Sequence, residues 1–292
     1  MKSWNYIVGF MVLLMINIGC APEKKGAVTE LQTEDLLGSW RLVKTIAIGH
    51  EDSTNRRDGM EKFYIKHINN EHFVWVEYDR INNRLLGTGG GTYTLENNTY
   101  TENIQFYYPP GANEMGQAIP FHAELSEEGL WHHTGYAKLM EFDPETAENV
   151  MVDSAIIDEL WERIDTDPAD DSNGKLIGSW DFVNVAEGSD TFTEYPPFYG
   201  IIKILTPTHF TWVQYNTEGD EIFGIGGGPY SIVGDTYTEL IEFVHPGRQD
   251  QIGVNAVFNW HQDNPNHWNN SGVIEGRDSL QRLEENWKRF GE

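Results

Sequence analysis

Two carboxylates lie in apolar, strand-like segments, one in each half of the chain. Glu102 follows Tyr100 at a spacing of two residues, and Glu239 follows Tyr237 in the same way. Because side chains two residues apart share one face of a β-strand, each Tyr–Glu pair occupies a single face together with apolar residues. A carboxylate on a buried apolar face is costly unless it is hydrogen-bonded, paired or protonated, so these groups are candidates for a functional site.

The period of two assigns further residues to these faces. Ile104 and Phe106 are expected to continue the face of the first carboxylate, and Ile241 and Phe243 that of the second. If the faces point inward, each carboxylate can contact a ligand. The alternatives are that the faces lie outward at a rim, or that tyrosine and arginine side chains satisfy the carboxylates structurally.

General-base catalysis is the other chemistry open to Glu102 and Glu239. A hydrolase or isomerase built on either base would need a partner acid or a nucleophile, and we identify none in the sequence. Neither a serine nucleophile elbow nor a His-Glu-x-x-His motif occurs. We therefore predict no catalytic residues and a protein that is not an enzyme.

Two tryptophans add to the candidate site. Trp75 and Trp212 stand at equivalent places in short aromatic segments, beside Phe73 and Phe210. They could line a cavity and stack on an apolar or sugar ring, and core packing is the alternative. The predicted ligand-binding residues are therefore Trp75, Tyr100, Glu102, Trp212, Tyr237 and Glu239.

Histidines and glycines suggest two other kinds of site, and neither is favoured. The counterparts of His122, His132 and His133 in the second half of the chain are asparagines, so we predict no metal site. The glycines at 89–91 and 226–228 precede strand-like segments rather than a helix, which favours a bend in a strand over a phosphate loop. No cofactor is expected.

A long internal repeat must position these residues. The segment 72–78 reads HFVWVEY and returns as HFTWVQY at 209–215, and GGGTY and TYTE return without gaps as GGGPY and TYTE. Further out, LGSW corresponds to IGSW, and WER corresponds to WKR. The period is far longer than the roughly 20–50 residues of a solenoid unit, so each copy is expected to close its own core.

Composition and local patterns indicate an all-β fold. Aromatic residues make up 13% of the chain beside 29 glycines, a mixture that favours strands and turns. Alternating segments separated by turns predict antiparallel meanders, whose edges are removed when they close into barrels. We predict two tandem antiparallel β-barrels at 34–164 and 175–292, joined by a short acidic linker at 165–174 that contains four aspartates.

The first residues predict export and lipid attachment. After Lys2, an apolar run at 7–18 is too short to span a bilayer and leads to Cys20, the only cysteine. This segment resembles a bacterial lipoprotein signal, in which cleavage before the cysteine is coupled to its acylation. The resemblance implies a signal peptide at 1–20, a polar tether at 21–33 and an exported protein, lipid-anchored in the cell envelope at the outer membrane or a periplasmic face. An ordinary signal peptide or an uncleaved anchor is the alternative.

The charge balance excludes one class of partner. The chain has 46 acidic residues against 20 basic ones, a formal net charge of −26. Such a surface repels the phosphate backbone, so we expect no nucleic-acid partner. We interpret the acidity as a source of solubility, with an acidic recognition surface as the alternative.

Each copy resembles the lipocalin-like domains of unknown function found in bacterial lipoproteins, which belong to the wider calycin group. The resemblance is carried by a Gly-x-Trp at the start of each copy and an arginine near its end. It implies that the tryptophan closes the barrel floor and that the arginine packs over its ring in a cation–π contact. The residues are Gly38, Trp40 and Arg163 in the first copy, and Gly178, Trp180 and Arg289 in the second.

These features predict a membrane-tethered lipoprotein that binds a small hydrophobic or amphipathic ligand in its barrel cups. The alternative is a non-enzymatic scaffold with filled barrels that contacts an envelope protein or glycan. A cavity volume separates the two, because a filled barrel leaves no cavity near the ~300 Å³ lower range of ligand sites. The expected partners are the membrane, through acylated Cys20, and the ligand.

Overall fold

The structure is a computed structural model that describes residues 30–47, 50–52, 60–110, 115–143, 148–164, 173–187 and 195–291. The predicted signal peptide with Cys20, the tether up to residue 29 and most of the predicted linker lie outside these residues. Within the described ranges, no helix is both long and apolar enough to cross a membrane.

The first copy is a closed antiparallel barrel of eight strands. It comprises α1 (Thr33–Leu36), β1 (Gly38–Ala47), β2 (His50–Asp52), β3 (Lys62–Ile68), β4 (His72–Asp79), β5 (Arg84–Glu96), β6 (Thr99–Tyr108), β7 (Ala118–Leu125), β8 (Trp131–Asp143) and β9 (Glu148–Arg163). Strands β3 to β9 pair in chain order, and β1 pairs with both β3 and β9, which closes the barrel. The short β2 pairs with the end of β1.

The second copy is a closed barrel of the same kind. After a 3₁₀ turn (Asn173–Lys175) come β10 (Gly178–Glu187), β11 (Tyr199–Leu205), β12 (His209–Asn216), β13 (Ile222–Val233), β14 (Thr236–Leu240), β15 (Phe243–His245), a second 3₁₀ turn (Gln249–Gln251), β16 (Asn255–Asn264), β17 (His267–Glu275) and β18 (Leu280–Arg289). Both β14 and β15 pair with β13, as two parts of one interrupted strand, and β10 pairs with β18. The prediction of two tandem antiparallel barrels is therefore confirmed.

Each barrel has its own apolar interior. In β4, Phe73 and Trp75 pack with the interior of the first barrel, whereas Val74 and Val76 belong to a cluster outside it. This is the two-residue alternation of a strand. The interiors are rich in large rings, among them Trp40, Tyr100, Trp131 and Trp161 in the first barrel and Trp180, Tyr237, Trp268 and Trp287 in the second.

A tryptophan and an arginine meet at the start of each barrel. The guanidinium carbon of Arg163 lies 4.2 Å from the ring centroid of Trp40, and that of Arg289 lies 3.8 Å from that of Trp180. Both tryptophans are fully buried. Gly38 has a φ of +125°, and a Cβ added there would lie 2.7 Å from Nη1 of Arg163, so only glycine fits beneath the guanidinium.

A third apolar cluster joins the two barrels. It is formed by outward-facing residues of β3 to β6 and of β11, β12, β13 and β15. The members are Phe63, Ile65, Val74, Val76, Tyr78, Leu85 and Phe106 from the first barrel, and Ile202, Ile204, Val213, Ile225 and Phe243 from the second. Each barrel therefore uses one outer wall as a contact surface for the other, in addition to closing its own core.

The contacts in this cluster are reciprocal. Tyr78 lies 6.0 Å from Phe243 between ring centroids, and Phe106 lies 5.2 Å from Tyr215. Tyr78 and Tyr215 are equivalent in the repeat, as are Phe106 and Phe243. The same two positions therefore contact each other in both directions, which is the pattern of an isologous, twofold interface.

Polar contacts at the boundary follow the same rule. Ser39 Oγ lies 2.8 Å from Thr206 Oγ1, and Asn69 Nδ2 donates to Ser179 Oγ at 2.8 Å. Ser39 and Ser179 are equivalent in the repeat, and so are Asn69 and Thr206. These buried hydroxyl and amide groups therefore find their hydrogen-bond partners in the opposite barrel.

The expectation that Phe106 and Phe243 share a face with the two carboxylates is wrong. Gly91 pairs with Ile104, but Gly90 pairs with Phe106, so β6 has one extra residue at this point. Such a bulge breaks the period of two. Ile104 stays in the barrel interior, whereas Phe106 turns outward into the cluster between the barrels; in the second copy, Phe243 does the same after the break between β14 and β15.

Candidate functional site

A buried ion pair lies inside each barrel. Lys66 Nζ is 2.8 Å from Glu102 Oε1, and Lys203 Nζ is 2.8 Å from Glu239 Oε1. The four side chains are between 3% and 7% exposed. The carboxylates predicted from the sequence therefore face the interior, and each has a lysine partner that was not among the predicted residues.

The two lysines occupy inward positions of equivalent strands. Lys66 lies on β3 between Ile65 and His67, and Lys203 lies on β11 between Ile202 and Ile204. The flanking residues face the opposite barrel, so the alternation turns each lysine into its own barrel. Their sequence signal was recurrence: the lysines stand at the same offset as His72 and His209.

Aromatic rings surround each ammonium group. Lys66 Nζ lies 4.8 Å from the centroid of Trp161 and 5.2 Å from that of Trp131. Lys203 Nζ lies 4.8 Å from Trp287 and 5.5 Å from Trp268. Cation–π attraction of this kind, together with the ion pair, offsets part of the cost of taking a lysine out of water.

A second carboxylate joins the pair in the first barrel. Glu159 Oε2 is 2.6 Å from Nε2 of His133 and accepts a hydrogen bond from Nε1 of Trp161 at 3.1 Å. Burial acts to raise the pKa of Glu159, but the hydrogen bonds from His133 and Trp161 and the charge of Lys66 outweigh it, and the pKa is lowered. This carboxylate is therefore held in its ionised form.

The equivalent carboxylate of the second barrel has a different neighbour. Glu285 Oε2 accepts a hydrogen bond from Asn270 Nδ2 at 3.2 Å and lies 3.9 Å from Lys203 Nζ. Burial raises the pKa of Glu285, and the charge of Glu239 adds to this, although Lys203 and Asn270 act against it. The pKa of Glu159, next to His133, is thus lowered, whereas the pKa of the equivalent Glu285, next to Asn270, is raised.

The two barrels also differ in free space. The second encloses a cavity of about 400 Å³, and the first one of about 230 Å³. Tyr64 and Tyr107 line the first cavity, at positions where the second has Ile201 and Val244. Tyr64 stacks on Trp75 with ring centroids 5.6 Å apart, and Tyr107 contacts the same ring edge-on at 5.6 Å. These tyrosines fill volume that stays open in the second barrel.

The six predicted ligand-binding residues divide into two groups. Trp75 and Glu102 line the first cavity, and Trp212 and Glu239 line the second. Tyr100 and Tyr237 are fully buried beneath them. The Tyr237 hydroxyl donates to Glu239 Oε1 at 2.7 Å, and burial and the neighbouring carboxylate raise the pKa of this phenol well above its ordinary value. Tyr237 therefore supports Glu239 from outside the cavity.

The histidines considered as metal ligands have separate carboxylate partners. His122 lies 2.9 Å from Glu124, and His132 lies 2.7 Å from Asp158. His133 points into the barrel, where it meets Glu159. In the ranges that the structure describes, no group of three His, Cys, Asp or Glu side chains is arranged to hold a metal ion.

Comparison with known proteins finds structural likeness without a sequence family. No family model matches the chain, and neither does any curated protein. An uncharacterized protein from Saccharomyces cerevisiae aligns over 86% of this chain and 97% of its own, with 9% identity and a TM-score of 0.44. A protein of unknown function from the DUF3598 family of Nostoc punctiforme aligns over 88% of this chain and 97% of its own, with 10% identity and a TM-score of 0.23.

A bilobed vaccine antigen offers a third likeness. A double mutant of Transferrin Binding Protein B from Haemophilus parasuis aligns over 78% of this chain and 60% of its own, with 8% identity and a TM-score of 0.25. At such TM-scores these likenesses carry no functional argument. The chemistry of the site is therefore taken from its own residues.

Proposed function

We propose that this protein is an exported, lipid-anchored binding protein and that its second barrel holds a small hydrophobic or amphipathic ligand. The observation that carries the proposal is the cavity of about 400 Å³ inside that barrel. Its volume falls within the range of about 300–1,000 Å³ typical of small-molecule sites. Its lining joins rings such as Trp212 and Trp287 to a few charged groups, the composition that binds an apolar body and orients a polar end.

The first barrel has a different role in this proposal. Its cavity of about 230 Å³ lies below that range, because Tyr64 and Tyr107 occupy the space. This favours the scaffold alternative for the first barrel alone: a filled module that supports its neighbour and is available for contact with an envelope protein or glycan.

Binding is better supported than catalysis. A general base needs a carboxylate that can reach a substrate proton, and Glu102 and Glu239 each contact a lysine ammonium at 2.8 Å. The ammonium group occupies an oxygen of each carboxylate, so that oxygen is not free to take a proton from a substrate. We therefore propose a protein without enzymatic activity in either cup.

The anchor completes the proposal. Acylation of Cys20 would add several apolar chains, each contributing about 0.8 kcal/mol per buried methylene, which is enough for stable attachment. Of the predicted tether, Leu31 is buried in the core of the first barrel, so residues 21–29 would hold that barrel away from the lipid surface in the cell envelope.

A matched exchange between the barrels tests the binding site. Ile201→Tyr with Val244→Tyr places the tyrosines of the first cavity in the second. N-phenyl-1-naphthylamine, a neutral apolar fluorophore, should bind the wild-type mature chain and lose at least ~10-fold affinity in this variant. The control, Tyr64→Ile with Tyr107→Val, should keep the wild-type site. The proposal would be refuted if the fluorophore did not bind the wild-type chain, or if it bound the Ile201→Tyr, Val244→Tyr variant equally well.

A second experiment is native mass spectrometry of protein extracted from its own cells, which should show a copurified small molecule.

A further inference from the structure

The second cavity contains more carboxylates than cations near its ion pair. Lys203 is shared by Glu239 at 2.8 Å and Glu285 at 3.9 Å. Lys203 lies closer to Glu239, and the hydrogen-bond donors to Glu285 are neutral: the amide of Asn270 at 3.2 Å and the indole of Trp287. Glu285 lines the cavity and its side chain is 19% exposed, so a ligand in the cavity can reach it.

The first barrel has an imidazole where the second has the amide of Asn270. There, Glu159 meets the imidazole of His133 at 2.6 Å and the indole N–H of Trp161 at 3.1 Å. The second barrel retains the carboxylate and loses the imidazole. A buried carboxylate that shares its one lysine with a second carboxylate is costly, and a cation brought by a ligand would relieve that cost.

Aromatic rings in the wall suit the same kind of ligand. Trp287 and Phe182 meet edge to face at 5.2 Å, and Tyr195 and Tyr199 stack at 4.7 Å on the same lining. Ring faces attract ammonium groups through their negative quadrupole, and most strongly where water is excluded. The charged residues of the lining are three acids and two bases: Glu187, Glu239, Glu285, Lys203 and Arg248.

We infer that the second barrel selects organic cations, an inference that rests on the proposed function and specifies its ligand class. These ligands are small amphiphiles whose ammonium group pairs with Glu285 and whose apolar body packs against Trp212 and Trp287. The same cavity would bind a neutral analogue less tightly, because the carboxylate would stay uncompensated. An anionic analogue would bind least tightly, because it would add a like charge beside Glu239 and Glu285.

The test compares three ligands with the same eight-carbon body: n-octylammonium, 1-octanol and octanoate. Calorimetric titration of the mature chain should give at least ~10-fold tighter binding of n-octylammonium than of 1-octanol, with octanoate weakest. Glu285→Gln should bring the affinities for n-octylammonium and 1-octanol to within about 2-fold of each other. The control, Glu159→Gln in the first barrel, should retain the wild-type ratio.

A second variant keeps the test decisive if Glu285→Gln does not fold. Asn270→His places beside Glu285 the imidazole that Glu159 contacts in the first barrel, and it should lower the preference for n-octylammonium by several fold. Equal binding of the three ligands, or tightest binding of octanoate, would overturn the inference and leave the proposed cup intact. If none of the three ligands binds while the neutral fluorophore still does, the cation inference fails alone; if nothing binds, the proposed function itself fails.

Discussion

The hydroxyl of Ser39 in the first barrel lies 2.8 Å from the hydroxyl of Thr206 in the second. Both side chains are buried, at 3% and 0% exposure. Asn69 and Ser179 form the reciprocal contact at the same distance. The boundary between the barrels is therefore a packed and hydrogen-bonded interior, and mutations there should behave like core mutations.

Removing an apolar side chain from this boundary should destabilise the whole protein. Ile204 is fully buried in the cluster between the barrels, and Ile204→Ala should lower the free energy of unfolding by about 2–5 kcal/mol. Val233 is 70% exposed at the end of β13, so the control Val233→Ala should change it by less than about 0.5 kcal/mol. Urea unfolding measures both, and equal effects would mean that the barrels do not pack against each other.

The tryptophan at the start of the second barrel should be a structural residue. Trp180 is fully buried beneath Arg289, and its indole N–H donates to the carbonyl of Leu176 at 2.8 Å. Trp180→Ala should cost about 3–5 kcal/mol in the same assay. Leu280→Ala, at a position 72% exposed, is the control. A loss below about 1 kcal/mol for Trp180→Ala would contradict its role as the barrel floor.

Breaking a buried ion pair should lower the free energy of unfolding far more than breaking an exposed one. Lys203→Met would leave Glu239 and Glu285 without their cation, and we expect a loss of about 3–5 kcal/mol. Adding Glu239→Gln should recover part of the loss. Arg41 pairs with Glu162 at 2.7 Å, but the side chains are 58% and 40% exposed, so Arg41→Met should cost at most about 1 kcal/mol. Similar losses for the two pairs would contradict the burial of Lys203.

Acid should destabilise the boundary between the barrels, because histidines are buried there. Burial lowers the pKa of His72 and of His209 from 6.5 to about 4. In the unfolded chain each accepts a proton near pH 6.5, whereas in the folded protein each stays neutral until about pH 4. Their contribution to stability is therefore complete above pH 6.5 and falls by about 1.4 kcal/mol per pH unit for each histidine as the pH drops toward 4.

The ring of His72 offers a direct test, since it packs against Phe290 of the second barrel at 4.4 Å. Neither ring nitrogen has a hydrogen-bond partner in the described part of the chain. When the pH falls from about 7 to about 5, the free energy of unfolding of His72→Phe should therefore decrease by about 2 kcal/mol less than that of wild type. His261 is 72% exposed, and His261→Asn should lose as much as wild type. Parallel pH profiles for all three proteins would contradict the assignment.

Lipidation of Cys20 stays a prediction from the sequence. Metabolic labelling with a fatty-acid probe should tag the wild-type protein and not Cys20→Ser. Equal labelling of the two proteins would place the acyl group elsewhere and remove the proposed anchor.

The barrels were predictable because several independent signals agree. Alternating aromatic segments, turn residues and a repeat without gaps between 72–102 and 209–239 all favour two antiparallel closed sheets. The shared face of Tyr100 and Glu102 followed from the period of two, whereas the direction of that face was left open. Phe106 does not lie on this face, because the extra residue in β6 cannot be recognised from the two-residue period of the sequence.

Two features were not predicted, for physical reasons: the lysine partners of the carboxylates and the contact between the barrels. A lysine in a strand, such as Lys66, normally marks a solvent face, and only its recurrence as Lys203 indicated otherwise. The second apolar face of β4, with Val74 and Val76 opposite Phe73, was itself a sign that both faces are covered. This pattern did not identify the second barrel as the element that covers the outer face.

The reciprocal boundary has a consequence for assembly. A twofold surface made from equivalent positions fits the first barrel of one molecule to the second barrel of another as well as it fits the two within one chain. What favours the contact within one chain is the short segment at 165–174, which keeps the barrels at an effective local concentration on the order of millimolar. Shortening that segment until it cannot span the gap should leave every contact in place and convert monomers into domain-swapped dimers.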